Sequence, residues 1–206
     1  MNGSPPHTKQ EHHAPPCCLV RHVPGSQTPR WGRSRAHPQL RTVRIGLISD
    51  THGHIDDRIL HHFSECDEIW HAGDIGHFRV SDALAEVAPL VVVHGNIDDQ
   101  LLRRDFPEHQ HFERGGCRIW MTHIGGRPGR YAKGIRRGLD AHRPDLFVCG
   151  HSHLLMVKKD ASWGGLYLNP GAAGRQGFHQ MRTMLRFRLE DGLVLEPEVI
   201  ELGPRG

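Results

Sequence analysis

The sequence predicts an α/β fold in which two packed β-sheets have helices on their outer sides. Two observations predict it: apolar runs alternate with amphipathic segments in the first half of the chain, and the second half is rich in short strand-like runs. The length of 206 residues suits one domain with a sizeable core, since domains commonly have about 100 to 200 residues.

The first half of the predicted domain alternates strands with helices. A buried strand is expected at 43–49 and a helix at 55–63, which has apolar residues at helical spacing. Asp56 and Asp57 stand at the start of this helix, where the helix dipole favours negative charge. The next elements are a strand at 68–71, a short helix at 82–87 and a valine-rich strand at 90–94. Repeated β-α units imply parallel strands joined by crossover helices.

After Asp98 the pattern is dominated by strands. Runs at 109–114 and 117–121 flank two glycines, which permit the positive φ of a tight hairpin. A helix is expected at 131–139. Further strands are expected at 146–149, 155–160, 166–169, 184–190 and 193–201, with an Asp-Gly hairpin turn at 191–192.

Residues 1–42 differ from the rest of the chain in composition. They contain seven of the fourteen prolines and five of the nineteen histidines, without apolar periodicity. Such a segment buries too little apolar surface to offset its ordering entropy. We predict a disordered Pro/His/Arg-rich extension followed by one domain at 43–206. The extension could serve as a metal reservoir, a basic tether or a transit peptide, or translation could start at Val43.

The charge is unevenly distributed along the chain. Residues 1–42 have six basic residues and one acidic residue, a net of +5, against +3 for the whole chain, so the part from Val43 onward is −2. Binding to nucleic acid depends mainly on neutralising phosphates with a basic surface. A nucleic acid is therefore not an expected partner of the domain.

The cysteines and the hydropathy pattern predict the compartment. The five cysteines form neither an even framework nor a C-x-x-C pair, as is usual in a reducing environment. No apolar stretch approaches the roughly 18 to 20 residues that span a bilayer, and no secretory h-region begins the chain. We expect a cytoplasmic protein that does not bind membranes.

Five apolar runs end in polar residues of the kinds that bind metals. Carboxyl ends of strands in open α/β folds border the usual ligand site. The two-residue spacing in Asp-Thr-His and His-Ser-His directs both side chains of each pair the same way, so that they can meet one ion. Each motif alone also fits an ordinary turn or a buried core histidine. The seven candidate ligands are Asp50, His52, Asp74, Asn96, His123, His151 and His153.

The order of these motifs, D-x-H, G-D, G-N, a strand-terminal histidine and G-H-x-H, resembles the calcineurin-like metallophosphoesterase superfamily. The resemblance extends from Val43 to about Gly174 and includes an Asn-Pro-Gly turn at 169–171 that is also seen in its small single-domain bacterial and archaeal phosphodiesterases. It implies a four-layer αββα sandwich of two mixed sheets flanked by helices, in agreement with the pattern above.

The resemblance also implies two metal ions. One would be held by Asp50, His52, Asp74 and His153, the other by Asp74, Asn96, His123 and His151, with Asp74 bridging them. Two divalent ions about 3.5 to 4 Å apart can lower the pKa of a shared water toward about 7 and so provide a hydroxide nucleophile. Mixed imidazole and oxygen ligands suit manganese, our first expectation, as well as iron, nickel or zinc.

One position departs from the wider superfamily. Many members have a histidine directly after the metal-binding asparagine, where it is thought to protonate the leaving group, but this chain has Ile97 there. The general acid is therefore unassigned. The nearby candidates, each with an equally good structural role, are His71, His77, His94 and Asp98.

The predicted function is a binuclear metal-dependent phosphoesterase, with phosphodiesters as the favoured substrates. The alternative is a non-catalytic scaffold, because the same resemblance extends to the retromer subunit that kept this fold as an interaction module. A nuclease is a weaker alternative. Arg127, Arg130 and Lys133 follow His123 in a glycine-rich loop and could contact phosphate, although a solvated basic loop is the favoured explanation. The oligomeric state cannot be inferred from the sequence.

Overall fold

A computed structural model describes residues 42–206 of the chain. The extension predicted to be disordered at 1–42 lies outside the described residues, apart from Thr42. The helices are α1 (Asp57–Phe63), α2 (Phe78–Val87), α3 (Gln100–Asp105) and α4 (Ile135–His142). The strands are β1 (Val43–Ile48), β2 (Glu68–His71), β3 (Leu90–Val92), β4 (His109–Arg114), β5 (Cys117–Thr122), β6 (Gly126–Arg127), β7 (Arg130–Tyr131), β8 (Leu146–Val148), β9 (Leu155–Lys159), β10 (Leu166–Pro170), β11 (Met181–Glu190) and β12 (Leu193–Pro204).

Ten of these strands form two five-stranded mixed sheets. The first has the order β12-β11-β1-β2-β3, in which β1, β2 and β3 are parallel and β11 is antiparallel to β1. The second has the order β4-β5-β8-β10-β9, in which β5, β8 and β10 are parallel. Strands β6 and β7 form a separate two-stranded hairpin. The predicted mixed α/β architecture is confirmed.

Three apolar clusters define the layers. Between the sheets, Ile45 and Leu47 of β1 share a buried cluster with Met121 and Val148 of the second sheet. On the outer side of the first sheet, a second cluster joins the buried residues of α1 and α2 to β1 and β2. On the outer side of the second sheet, α4 packs against Phe147. The order of layers is therefore helices, sheet, sheet and helix.

Capping explains where two helices begin. Asp56, expected in the first turn of α1, is its N-cap and accepts a hydrogen bond from the Ile59 amide at 3.2 Å. Helix α2 begins four residues before the predicted start because the His77 imidazole caps it, accepting from the Arg79 amide at 3.0 Å. Histidine is not a usual N-cap, so the sequence pattern placed this start too late.

Two further elements differ from the sequence expectation. Helix α3 was not predicted, since Leu102 is its one buried residue and Asp99, the N-cap, supplies much of its local stabilisation. The predicted helix at 131–139 begins instead at Ile135, because Tyr131 belongs to the short hairpin and Gly134 has a φ of 88°. A left-handed residue interrupts regular helix geometry. Within residues 42–206, no helix is both long enough and apolar enough to cross a bilayer.

Candidate metal centre

The seven predicted ligand residues all follow the C-terminal ends of strands. The loops after the three parallel strands of the first sheet contain four of them, Asp50, His52, Asp74 and Asn96. The loops after β5 and β8 of the second sheet contain the other three, His123, His151 and His153. These loops meet at one edge of the sandwich, as the side-chain distances below show.

The first group of side chains gathers around Asp50. Its Oδ1 lies 3.2 Å from His153 Nε2, and His153 Nε2 lies 3.4 Å from His52 Nε2. The other carboxylate oxygen, Oδ2, accepts a hydrogen bond from Ser49 Oγ at 2.7 Å, and the His151 amide donates to both oxygens, at 3.0 Å to Oδ2 and 3.2 Å to Oδ1. These donors fix the carboxylate and leave Oδ1 facing the imidazoles. Asp50, His52 and His153 could thus hold one metal ion.

The second group gathers around Asp74. Its Oδ1 lies 3.2 Å from His123 Nε2 and accepts a hydrogen bond from the Ile97 amide at 3.0 Å. Asp74, His123 and His151 could hold a metal ion as a second group. The Ile97 contact also brings the loop that contains Asn96 against the Asp74 carboxylate. A Cβ at Gly95 would stand 2.0 Å from Asp74 Oδ1, so the approach requires glycine there.

The two groups are adjacent. His52 Nε2 of the first lies 3.9 Å from Asp74 Oδ2 of the second, and His123 Nε2 of the second lies 3.9 Å from Asp50 Oδ1 of the first. Each carboxylate therefore approaches an imidazole of the other group. The two oxygens of Asp74 face imidazoles of different groups.

The backbone at the site is strained. Among the described non-glycine residues, eight have positive φ, and five of these belong to the predicted ligand set. The left-handed region costs an ordinary residue free energy, and such strain is often concentrated at functional sites. The five residues, with φ between 48° and 66°, are Asp50, His52, Asp74, His151 and His153.

His123 has a fixed ring orientation. Its Nδ1 lies 2.8 Å from the carbonyl of Ala72 and donates a hydrogen bond to it. Its Nε2 is buried and has no hydrogen-bond partner among the described residues, and Asp74 Oδ1 lies 3.2 Å away. A lone pair that faces a carboxylate is repelled unless a proton or a metal ion lies between them.

The electrostatics of His123 agree with that geometry. Burial favours the neutral ring, but the adjacent carboxylates of Asp74 and Asp50 outweigh burial and raise the pKa of His123. Burial also raises the pKa of Asp74, but the contact with His123 and the Ile97 amide lower it by more. The pair thus favours a positive species between the ring and the carboxylate.

His153 is oriented by a residue that the sequence did not indicate. His153 Nδ1 lies 3.2 Å from Nδ1 of His179, and His179 Nε2 lies 3.1 Å from the carbonyl of Gly174. A carbonyl can only accept, so His179 Nε2 donates and its Nδ1 accepts the proton of His153 Nδ1. His153 Nε2 is then unprotonated, and its lone pair is directed at Asp50 and His52. Nothing in the sequence links position 179 to the G-H-x-H motif, which lies 26 residues earlier.

The other two imidazoles are suited to metal binding. Burial lowers the pKa of both His52 and His151, so both rings are neutral at pH 7. A histidine must be neutral to bind a metal ion. Together with the lone pair of His123, these imidazoles could hold divalent metal ions.

Comparison with known proteins identifies the family of this chain. A family model described as the calcineurin-like phosphoesterase superfamily domain matches residues 43–192. The chain belongs to this superfamily. Members of the superfamily typically bind divalent metal ions. This chain has two groups of side chains that could hold such ions.

Three relatives illustrate the match. A protein of Methanocaldococcus jannaschii named "Probable metallophosphoesterase" is 29% identical, covering 69% of this chain and 81% of its own length. A Thermotoga maritima protein solved by NMR is 26% identical, with a TM-score of 0.58 over 78% of this chain and 99% of that chain. Vps29 of Entamoeba histolytica, solved in complex with Zn²⁺, is 19% identical, with a TM-score of 0.57 over 77% and 98%. The Vps29 likeness shows the fold alone.

Four residues near the ligands in sequence were candidates for the general acid. The structure gives three of them a structural role. The buried Asp98 carboxylate accepts from the amides of Gly76 and Gly95, both at 2.7 Å. His71 is buried against Thr51 and accepts from the Gly73 amide, and burial lowers its pKa to about 4. His77, as described, caps α2.

The fourth candidate and the basic loop are placed differently. His94 lines a cleft between α4 and the strands β4 and β5, next to Asn96, with its Nδ1 3.3 Å from the carbonyl of Gly95. Arg127 and Arg130 line a separate pocket beside Tyr131, whereas Lys133 lines the cleft. The three cations of the loop thus do not form one phosphate-binding group.

Proposed function

We propose that this chain is a binuclear metal-dependent phosphoesterase for which phosphodiesters are the favoured substrates. One observation supports the proposal most strongly: two three-residue groups of carboxylate and imidazole donors lie side by side, with each carboxylate within 3.9 Å of an imidazole of the other group. A single structural ion would need one such group. Two adjacent groups with a shared carboxylate are typical of hydrolytic two-metal sites.

The ligand sets that we propose are those implied by the resemblance to the superfamily. One ion would be held by Asp50, His52, Asp74 and His153, and the other by Asp74, Asn96, His123 and His151. The Ile97 hydrogen bond to Asp74 supports the inclusion of Asn96, because it holds the Asn96 loop against the second group. Manganese is the favoured metal in this proposal, with iron, nickel and zinc compatible with the same donors.

The ions, when bound, would supply a hydroxide nucleophile at neutral pH and positive charge for the phosphate. The chain's own residues prepare the site for them. Ser49 and the His151 amide hold the Asp50 carboxylate, and Ala72 fixes the tautomer of His123. Asn96 is a neutral oxygen ligand, so it leaves the site with more positive charge than a third carboxylate would. An anionic phosphate is attracted by that charge.

The exposure of the site supports a diester substrate. His151 and Asn96 are exposed, and no further domain within residues 42–206 covers the two groups. An open site can accept phosphorus with substituents on two sides. The scaffold alternative has no observation in its favour beyond the shared fold with Vps29.

The test is hydrolysis of bis(p-nitrophenyl) phosphate beside p-nitrophenyl phosphate, with added Mn²⁺ and with chelator. The proposal predicts metal-dependent turnover, faster for the diester, that Asp74→Asn abolishes. Asp140→Asn is the matched control, because Asp140 lies exposed on α4 and pairs with Arg136 at 2.9 Å. If folded protein hydrolyses neither ester with any of the four metals, the chain is not a phosphoesterase and the scaffold alternative is favoured.

A further inference from the structure

A cleft extends from the candidate metal centre along the outer side of the second sheet. It has a volume of about 800 Å³ and begins at Asn96 and His123, two of the proposed ligands. Strands β4 and β5 form one wall, and α4 with the residues before it forms the other. A phosphate group alone needs much less space than this. The cleft therefore has room for a substituent of a phosphate ester bound at the metal centre.

The walls of the cleft carry an excess of positive charge. Arg103, Lys133 and Arg137 line it, against one carboxylate, that of Glu108. Among residues 42–206, none of these three cations forms an ion pair with a carboxylate. Glu108 itself lies 3.9 Å from His109. The domain as a whole has a small negative net charge, so this positive patch is a local feature.

Arg103 is held in place although it has no acidic partner. Its Nε donates to the carbonyl of Asp98 at 2.7 Å, and its Nη2 donates to the carbonyl of Asn96 at 2.7 Å. Backbone carbonyls orient the guanidinium without cancelling its charge. The same contacts attach Arg103 to the loop that contains a proposed metal ligand. A fixed, unneutralised guanidinium beside a phosphate site is suited to binding an anion.

Lys133 lies two residues before the start of α4, and Arg137 lies in its first turn. Both side chains line the cleft. Positive charge near a helix N-terminus opposes the helix dipole, so the stability of α4 does not explain either residue. By contrast, Arg136 of the same turn pairs with Asp140. Gly138, the next residue of α4 after Arg137, lies close to Trp120. A Cβ at this position would be 2.3 Å from the indole ring.

We propose that this cleft binds a second anionic group of the substrate, so that the natural substrate is a phosphodiester with a further phosphate or carboxylate on one substituent. Arg103, Lys133 and Arg137 bind that group, while the phosphorus that reacts lies at the metal centre. The proposal rests on the phosphodiesterase function proposed above and adds a substrate class to it.

The experiment uses two synthetic diesters that share one leaving group. One is p-nitrophenyl 3-carboxypropyl phosphate, and the other is p-nitrophenyl butyl phosphate, in which a methyl group replaces the carboxylate. The ratio of kcat/KM for the two esters measures recognition of the second anion. We expect the full chain to prefer the carboxylate ester by about tenfold, the size of one charge-assisted hydrogen bond. The preference should decrease between 0.05 and 0.5 M salt, because salt screens exposed charges.

Two double variants test whether the cleft residues cause the preference for the carboxylate ester. Lys133→Gln with Arg137→Gln should lower the ratio toward one, because only Arg103 is left to bind the carboxylate. The matched control is Lys158→Gln with Lys159→Gln, two exposed lysines on β9 at the opposite edge of the second sheet, which should keep the preference. Equal rates for the two esters in the unmodified chain would overturn the inference and leave the phosphodiesterase function intact. If neither ester is hydrolysed, the proposed function itself is wrong.

Discussion

His153 and His179 face each other through their Nδ1 atoms, 3.2 Å apart. The contact determines which nitrogen of His153 carries the proton, because His179 in turn donates from Nε2 to the carbonyl of Gly174. His153 thereby presents an unprotonated Nε2 to Asp50 and His52. Replacing a residue that orients a metal-binding histidine in this way typically lowers metal affinity by about 10- to 100-fold.

The His179→Ala variant should bind metal more weakly. Loss of the acceptor lets His153 rotate or change tautomer, and we expect the affinity for one of two Mn²⁺ ions to fall by about 10- to 100-fold. Isothermal titration calorimetry measures this without any assay of activity. The control is His61→Ala, which removes an exposed histidine from the last turn of α1. Two unchanged binding steps in His179→Ala would show that His179 does not orient His153.

Gly177 is needed for the same contact. A Cβ at this position would lie 2.1 Å from His153 Nδ1, so Gly177→Ala should displace the ring and weaken metal binding. Gly129→Ala is the matched control: both glycines have positive φ, 116° and 84°, but a Cβ at Gly129 meets nothing within 4 Å. The control therefore has the backbone strain without the collision. Equal metal affinities in the two variants would exclude the steric explanation.

Asp56 should make stability depend on pH. Burial raises the pKa of Asp56, but the Ile59 amide and the buried Arg182 guanidinium, 3.0 Å away, outweigh it and lower the pKa to about 2. A depressed carboxyl pKa stabilises the fold above the unfolded pKa of about 3.9, and that contribution is lost as pH falls toward 2.

The Asp56→Asn variant tests the ion pair between Asp56 and Arg182, since asparagine can still cap α1 but has no charge. We expect it to lower the free energy of unfolding by about 1 to 2 kcal/mol at pH 7, and the difference to shrink by about half at pH 3. Urea unfolding at the two pH values measures both quantities. A difference that is the same at pH 3 and pH 7 would contradict a contribution from the charged pair.

Hydrolysis should depend strongly on the leaving group. The structure gives Asp98, His71 and His77 structural roles, and Ile97 occupies the position after Asn96. Without a dedicated proton donor, an alkoxide leaves far more slowly than a nitrophenolate. Diesters with leaving groups of increasing pKa should thus show steadily falling kcat/KM. Comparable rates for alkyl and nitrophenyl esters would mean that a general acid is present, and His94, which lines the cleft, would be the first residue to replace.

The parts of the fold that depend on apolar periodicity could be predicted from the sequence. The strands Glu68–His71 and His109–Arg114 have the predicted bounds; the second alternates exposed and half-buried residues and is closed by the turn at Gly115 and Gly116. The early start of α2 could not be predicted, since it depends on an imidazole cap. Helix α3 depends on Asp99 and buries Leu102 alone, so it has little periodic signal.

The candidate site was predictable where the motifs are local. Asp50 with His52, and His151 with His153, are paired by spacing, and the fold brings both pairs to one edge. The contribution of His179 was not predictable, because it arises from a loop between β10 and β11 that folds back onto the site. The positive φ of five proposed ligand residues is also a property of the folded chain, as non-glycine residues give no sequence signal for it.

The most direct test of the two-metal claim is a titration of metal-free protein with Mn²⁺ in which bound metal and the rate of bis(p-nitrophenyl) phosphate hydrolysis are measured together. We predict that binding saturates at two ions per chain and that the rate rises mainly with the second. Saturation at one ion per chain would contradict the binuclear centre. Two bound ions without hydrolysis would contradict the phosphoesterase function while leaving the metal centre in place.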